Sequence, residues 1–303
     1  MSVEVERKSL SPWAPEFRHI SFRGPIVRER LTLAHDPSLG SERDGAPLSE
    51  DEESFLRFLF KEAGLDLYKY RVKTLKRRIG ACLRALHAGS FADARRMVQQ
   101  KPALLPGAIS TMVIGVTSFL RDSSVWEMMH NEVIPALFKG RYGLAIWCLG
   151  CSDGHELYSL AMLLAEMKLL HRCHLLGTDC RLDAVKRARA GQFDAAAIKS
   201  VPANLLSRYF NQEEAHWRVA AKIRDAIHWR RADVLTLHEP GVWDLILCRN
   251  MTMYLAPEAS AALFPRLEMS LRSGGVLVLG KAERPLAACH LSIVGPCIYR
   301  RDR

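Results

Sequence analysis

In the second half of the chain, short unbroken apolar runs alternate with longer stretches whose apolar residues recur every three or four positions. The runs read as buried strands and the longer stretches as helices laid on a sheet. A strand at 145–149 leads into the tight turn Gly150-Cys151-Ser152-Asp153-Gly154. From Tyr158 onward Leu160, Met162, Leu163 and Leu164 mark a helix. A second strand at 174–177 ends in Asp179, and a helix follows at 182–191. A strand and turn resume at 227–235, strand four lies at 243–248, and a helix at 257–271 leads through Ser273-Gly274-Gly275 to a strand at 276–280. This alternation predicts a parallel, doubly wound α/β sheet. The rhythm breaks at about 193–229. There Pro202, Tyr209-Phe210 and the alternating His216-Trp217-Arg218-Val219 predict an insert of short helices and antiparallel strands.

The first half has helical periods only. Residues 1–48 mix polar and charged types without periodicity and read as a flexible or loosely docked tail. Ser49 followed by Glu50, Asp51 and Glu52 reads as a capped helix start. The helix carries Phe55, Leu56, Phe58, Leu59 and Phe60 and stops near Gly64. A second helix, 70–87, has the apolar stripe Val72, Leu75, Ile79, Leu83 and Leu86; Arg71, Lys73, Lys76, Arg77, Arg78 and Arg84 line its other faces. A third helix is predicted at 91–100, a connecting segment at 109–121 and a further helix at 123–138. The expected domains are therefore the tail at 1–48, an all-α domain with one basic face at 49–105, and the α/β domain at 106–303.

Composition narrows the class. With 49% hydrophobic and 25% charged residues the chain is ordinary for a soluble protein. It shows no apolar run long enough to span a membrane and no secretory signal. The eight cysteines lack zinc-type pairing; Cys148 and Cys151 straddle the end of a strand and a glycine turn. They read as thiols of a reducing compartment, which favours the cytoplasm. The net charge of +10 implies an acidic partner: nucleic acid, an acidic protein surface or phospholipid.

Strand, glycine turn and helix form the opening of a nucleotide-binding unit. Asp179, a little over 20 residues beyond the turn, suits an acceptor for a ribose diol. The turn matches neither GxGxxG nor GxxxxGK[ST], which disfavours NAD and ATP. Together with the polar segment Arg249-Asn250 after strand four, these features suggest a methyltransferase dependent on S-adenosylmethionine.

Several motifs in order, over about 52–284, resemble one family, the chemotaxis receptor glutamate methyltransferases (CheR). GLDLYKYRVKTLKRRI resembles the basic N-terminal helix, and VTSFLRD the family's N-x-T-x-F-F-R-D. GCSDGHELYS resembles G-C-S-T-G-E-E-P-Y-S, and VPANLLSRYF the start of the β-subdomain. WDLILCRNMTMYL resembles F-D-L-I-F-C-R-N-V-L-I-Y-F, and LRSGGVLVLGKAE resembles L-x-P-G-G-x-L-x-L-G-H-S-E. The resemblance implies a Rossmann-like methyltransferase sheet with an N-terminal all-α domain and a small antiparallel β-subdomain. It implies transfer of a methyl group from S-adenosylmethionine to glutamate side chains of a chemoreceptor or related sensor, with S-adenosylhomocysteine as product. Carried over by position, the cofactor residues are Gly115, Thr117, Arg121, Glu156, Asp179, Asp233, Val234, Arg249 and Asn250. Arg121 and Tyr254 are expected nearest the transferring methyl, with no metal. Arg71, Lys73, Lys76, Arg77 and Arg78 would dock the acidic receptor helix. The implied protein is a monomer that neither binds nucleic acid nor inserts in a membrane. Several positions depart from the family pattern: Gly115 for Asn, Asp153 for Thr or Ser, His155 for Glu, Leu157 for Pro, Asp233 for Asn, and Lys281-Ala282 for His-Ser. They leave a second reading open, a family member with weak or no cofactor binding that acts through protein contacts. A nucleic-acid methyltransferase is disfavoured because Arg249-Asn250-Met251-Thr252 stands where an N-P-P-Y type motif belongs.

Overall fold

The computed structural model describes residues 47–113, 115, 117–237, 242–285 and 289–302. The tail expected at 1–48 lies almost wholly outside them.

The chain enters through α1 (Glu50–Glu62), α2 (Val72–Ala85), α3 (Phe91–Gln100) and α4 (Leu105–Met112). Ser49 and Glu52 form a capping box that satisfies two free N–H groups at the start of α1. Phe55, Leu56, Leu59 and Phe60 of α1 pack with Leu75, Ile79 and Cys82 of α2 and with Ala108, Ile109 and Met112 of α4. The segment expected to connect at 109–121 therefore begins inside a helix. The helix expected at 123–138 is broken. It divides into α5 (Ser123–Met128), a π-helical turn at Met129–Val133 and α6 (Ile134–Phe138). Pro135, which cannot donate a backbone hydrogen bond, stands just after that turn.

Then come β1 (Leu144–Leu149), α7 (His155–Glu166), β2 (Cys173–Asp179), α8 (Leu182–Ala190) and the insert. The insert comprises β3 (Gln192–Phe193), α9 (Ala203–Tyr209), β4 (Phe210–Glu213), β5 (His216–Val219) and α10 (Ala221–Arg224). Its strands form a three-stranded antiparallel sheet in the order β3-β5-β4. The chain closes with β6 (Ile227–Arg231), β7 (Trp243–Cys248), α11 (Pro257–Ser270), β8 (Leu271–Leu279), β9 (Leu291–Gly295) and β10 (Ile298–Arg301).

The main sheet has seven strands in the order β6-β2-β1-β7-β8-β10-β9. The first five run parallel, and β10 pairs antiparallel with both β8 and β9. Residues 273–275, expected as a turn, lie instead inside β8. Trp243 pairs with Leu271 and Leu245 with Val276, so the intervening residues bulge out through Gly274 at φ +74°.

Alternate residues of β1 feed two cores. Ile146 and Cys148 pack with α5, α6, α7 and the insert, whereas Trp147 and Leu149 pack with α11 and the N-terminal helices. The helical part thus covers one face of the sheet. It is also joined to the loop after β7. The Arg71 N–H donates to the Tyr254 carbonyl at 3.0 Å and the Ala256 N–H to the Lys69 carbonyl at 2.8 Å. Arg71 Nε adds a bond to the Leu255 carbonyl at 2.9 Å.

Candidate cofactor site

The crevice opens at the carboxyl ends of β1, β2 and β7, where the strand order reverses. Its loops are conformationally costly. Leu120, Asp122, Ser152 and Asn250 all have positive φ, between 50° and 61°. Non-glycine residues in the left-handed region cost roughly 1–3 kcal/mol each and persist only where surrounding bonds over-determine them. Arg249 and Glu283 hold Asp122 and Asn250, whereas the Leu120 N–H donates to the Ser159 hydroxyl at 3.0 Å and the Ser152 N–H to Asp179 at 2.9 Å.

Arg249, at the end of β7, is 8% exposed. It donates to Glu156 Oε1 at 2.8 Å, to Asp122 Oδ2 at 2.8 Å and to the Arg121 carbonyl at 2.9 Å. One guanidinium therefore ties the 121–122 loop to the first turn of α7. Glu283 is the second, at 3% exposure. Its Oε2 accepts from the N–H groups of Asn250 at 2.7 Å and Gly280 at 2.8 Å. Its Oε1 accepts from the N–H and the hydroxyl of Thr252, both at 2.7 Å. Sequence reasoning gave Glu283 no role, although it is the last residue of the quoted LRSGGVLVLGKAE motif.

Two lobes meet at Gly150 and Asn250. The polar lobe, about 410 Å³, is lined by Thr117, Ser118, Arg121, Ser152, Glu156 and Arg249. The less polar lobe, about 570 Å³, is lined by Tyr70, Asp179, Arg181, Asp233, Val234 and Tyr254, with Leu235, Met251 and Leu255 beside them. The candidate residues thus gather in one crevice. Gly115 adjoins it: its carbonyl accepts from the Ser152 hydroxyl at 2.7 Å. The two residues expected near the methyl divide between lobes, with Arg121 exposed in the polar one and Tyr254 half-buried in the other. Tyr70, supplied by the helical part, went unrecognised because only the fold brings it there. Burial pushes its phenol well above the ordinary range.

The departures have local partners. Asp153 accepts from Arg187 at 2.9 Å, and Lys281 reaches Asp122 at 3.2 Å. Leu157 is fully buried in the core. His155 sits between Phe119 and Phe193, ring centroids 4.7 and 4.6 Å away, and burial lowers its pKa to about 4. Asp233 accepts from the Leu235 N–H at 2.9 Å, and burial raises its pKa.

The expected docking residues split. Lys73 and Arg77 are exposed and Arg78 is half-buried. Arg71 is engaged with Leu255, while Lys76 donates to the Pro47 carbonyl at 2.8 Å and pairs with Glu52 at 3.6 Å. Among the described residues, no group of three or more His, Cys, Asp or Glu could hold a metal ion. Nor, among them, is any helix long and apolar enough to cross a membrane.

The family model for the CheR methyltransferase all-alpha domain matches residues 50–113, and that for the CheR methyltransferase SAM binding domain matches 115–289. The chain belongs to the CheR methyltransferase family. The chemotaxis protein methyltransferase of Listeria monocytogenes is 30% identical over 240 residues, spanning 79% of this chain and 92% of that protein. Chemotaxis protein methyltransferase 1 of Pseudomonas aeruginosa is 28% identical over 245 residues, spanning 77% and 89%. A solved SAM-dependent methyltransferase from Methanosarcina mazei is 14% identical over 49% of this chain and 56% of its own, with a TM-score of 0.30.

The cofactor of this CheR protein is S-adenosylmethionine. The lobes suit its two ends. The polar lobe offers the Glu156 carboxylate and the Thr117 hydroxyl, and the other lobe the apolar walls of Val234, Leu235, Met251 and Tyr70. Asp179 is the exception. Its oxygens accept from the Ser152 N–H, the Arg181 N–H and two nitrogens of the Arg181 guanidinium. Two carboxylate oxygens offer about four lone-pair positions, so these four donors leave no place for a ribose diol.

Proposed function

We propose that the chain methylates glutamate side chains of a chemoreceptor or related sensor, forming glutamyl methyl esters. The observation that carries this reading is the meeting of the two lobes at Gly150 and Asn250, with Arg121 in one and Tyr254 in the other. S-adenosylmethionine supplies an electrophilic methyl group on a sulfonium sulfur. The acceptor needs no general base, since a solvated glutamate with a pKa of about 4.3 is already ionised at neutral pH. The work left to the protein is alignment and removal of water from the carboxylate. Arg121 can hold that carboxylate through paired, charge-assisted hydrogen bonds. Tyr254 orients an oxygen or lines the methyl path. Glu156 and Thr117 would hold the amino acid end, Val234 and Asp233 the adenine, and Asp179 the ribose once its oxygens are released. Arg249 and Asn250 shape the wall between the lobes. Lys73, Arg77 and Arg78 of α2 support recognition of an acidic receptor helix, speeding and orienting the encounter.

The test is transfer of labelled methyl from S-adenosylmethionine to receptor signalling fragments, followed by mild alkali. An ester releases its label as methanol; label that survives alkali refutes glutamate as the acceptor. Arg121→Ala should abolish transfer while leaving the circular dichroism spectrum unchanged. Full activity in that variant removes Arg121 from the mechanism.

A further inference from the structure

Arg181 stands at the N-cap of α8, a position where Ser, Thr, Asp or Asn would serve the helix. Its side chain makes no capping bond. It turns back instead to Asp179, with Nε donating to Oδ1 at 2.9 Å and Nη2 to Oδ2 at 3.0 Å. Both residues are at least nine-tenths buried, and both line the less polar lobe. The guanidinium lies against the α-carbon of Gly115, and a Cβ built there would overlap it. The Asn implied by the family pattern at 115 is thus incompatible with Arg181 in this position. Gly115, a departure from the family pattern, and Arg181, far from it in sequence, make one arrangement.

We infer that Arg181 is an internal competitor for the ribose subsite, held on Asp179 by room that Gly115 provides, and that it sets cofactor affinity. The inference rests on Asp179 being the ribose acceptor. Cofactor binding then requires the guanidinium to leave, which frees two of the four acceptor positions on Asp179. Apparent affinity falls by the fraction of molecules in which the arginine is displaced. If it is displaced in about one molecule in ten, binding is about tenfold weaker than the site allows. This gives the departure at 115 a purpose: an enzyme tuned to bind its cofactor less tightly.

The experiment is calorimetric titration of the full chain with S-adenosylhomocysteine. Arg181→Ser, which also supplies an N-cap, should tighten binding by about tenfold. Gly115→Asn should tighten it too by expelling the guanidinium, and the double variant should gain little over either single one. Arg181→Lys, which keeps the charge but loses the fork, should fall between wild type and Arg181→Ser. Unchanged or weaker binding in folded Arg181→Ser and Gly115→Asn overturns the proposal. Asp179→Asn in the Arg181→Ser background separates the two assumptions. Weakened binding there upholds Asp179 as the ribose acceptor whatever Arg181 does, whereas unchanged binding removes that assignment and the competition with it.

Discussion

Replacing Glu283 by Gln keeps the shape of the side chain and removes half of what it does. An amide can present one oxygen and one NH2 group to the four donors at 2.7–2.8 Å. The oxygen can serve the Asn250 and Gly280 N–H groups or the Thr252 pair, but not both. The NH2 end then confronts the remaining donors, and a hydroxyl alone could turn to accept. Hydrogen bonds to charged groups contribute about 1.5–3 kcal/mol each, so losing two costs about 3–6 kcal/mol. That is a large share of a typical stability of about 5–15 kcal/mol. It falls on the loop that holds Asn250 at φ +56°, so cofactor affinity should drop as well. Urea unfolding followed by far-ultraviolet circular dichroism measures the first effect, and titration with S-adenosylhomocysteine the second. Thr252→Val removes the hydroxyl bond alone and should cost about 1–3 kcal/mol, a measurable value even if Glu283→Gln does not fold. A Glu283→Gln protein within 1 kcal/mol of wild type, with unaltered cofactor binding, would refute the clamp.

His155 should make stability pH-dependent. Its pKa is lowered by burial from 6.5 to about 4, so between those values the unfolded chain binds the extra proton. Stability therefore falls as pH drops from about 6.5 to about 4, by about 3 kcal/mol in full; His155→Leu should flatten that slope in urea unfolding at pH 7.5, 6 and 5. Lys73→Glu combined with Arg77→Glu leaves folding intact, since both side chains are exposed. It should slow association with an acidic receptor fragment several-fold at low salt, with the difference shrinking as salt rises. Equal association rates in stopped flow would exclude α2 as the docking face.

The sheet was legible because its central strands are buried on both faces. Trp243 to Cys248 is apolar but for the buried Asp244, and each such strand is followed by a helical period. The final hairpin was missed. In β9 four of the five residues are only half-buried, and the short β10 ends in two arginines, so neither shows a clear pattern. The π-turn in the α5–α6 region also escaped, since a proline after a helical stretch can as well mark an end as an irregularity. Within the site, the candidate positions could be named from ordered motifs. Their partnerships could not: Arg249 meets Asp122 from 127 residues away, and Glu283 reaches Asn250 from 33. Tyr70 enters the crevice only because α2 is fastened there. Arg181 looked like an unremarkable residue between a strand and a helix until Asp179 was seen to be saturated by it.

The fastening between 69–71 and 254–256 puts the proposed docking helix and the proposed catalytic tyrosine on one mechanical linkage. The amino end of α2 shares backbone hydrogen bonds with the segment that carries Tyr254, so neither can shift alone. The helical part is therefore not an interchangeable adaptor. A chimera that brings α2 from a relative must also bring a segment that can pair with Tyr254 to Ala256, or receptor choice will be altered at the expense of turnover.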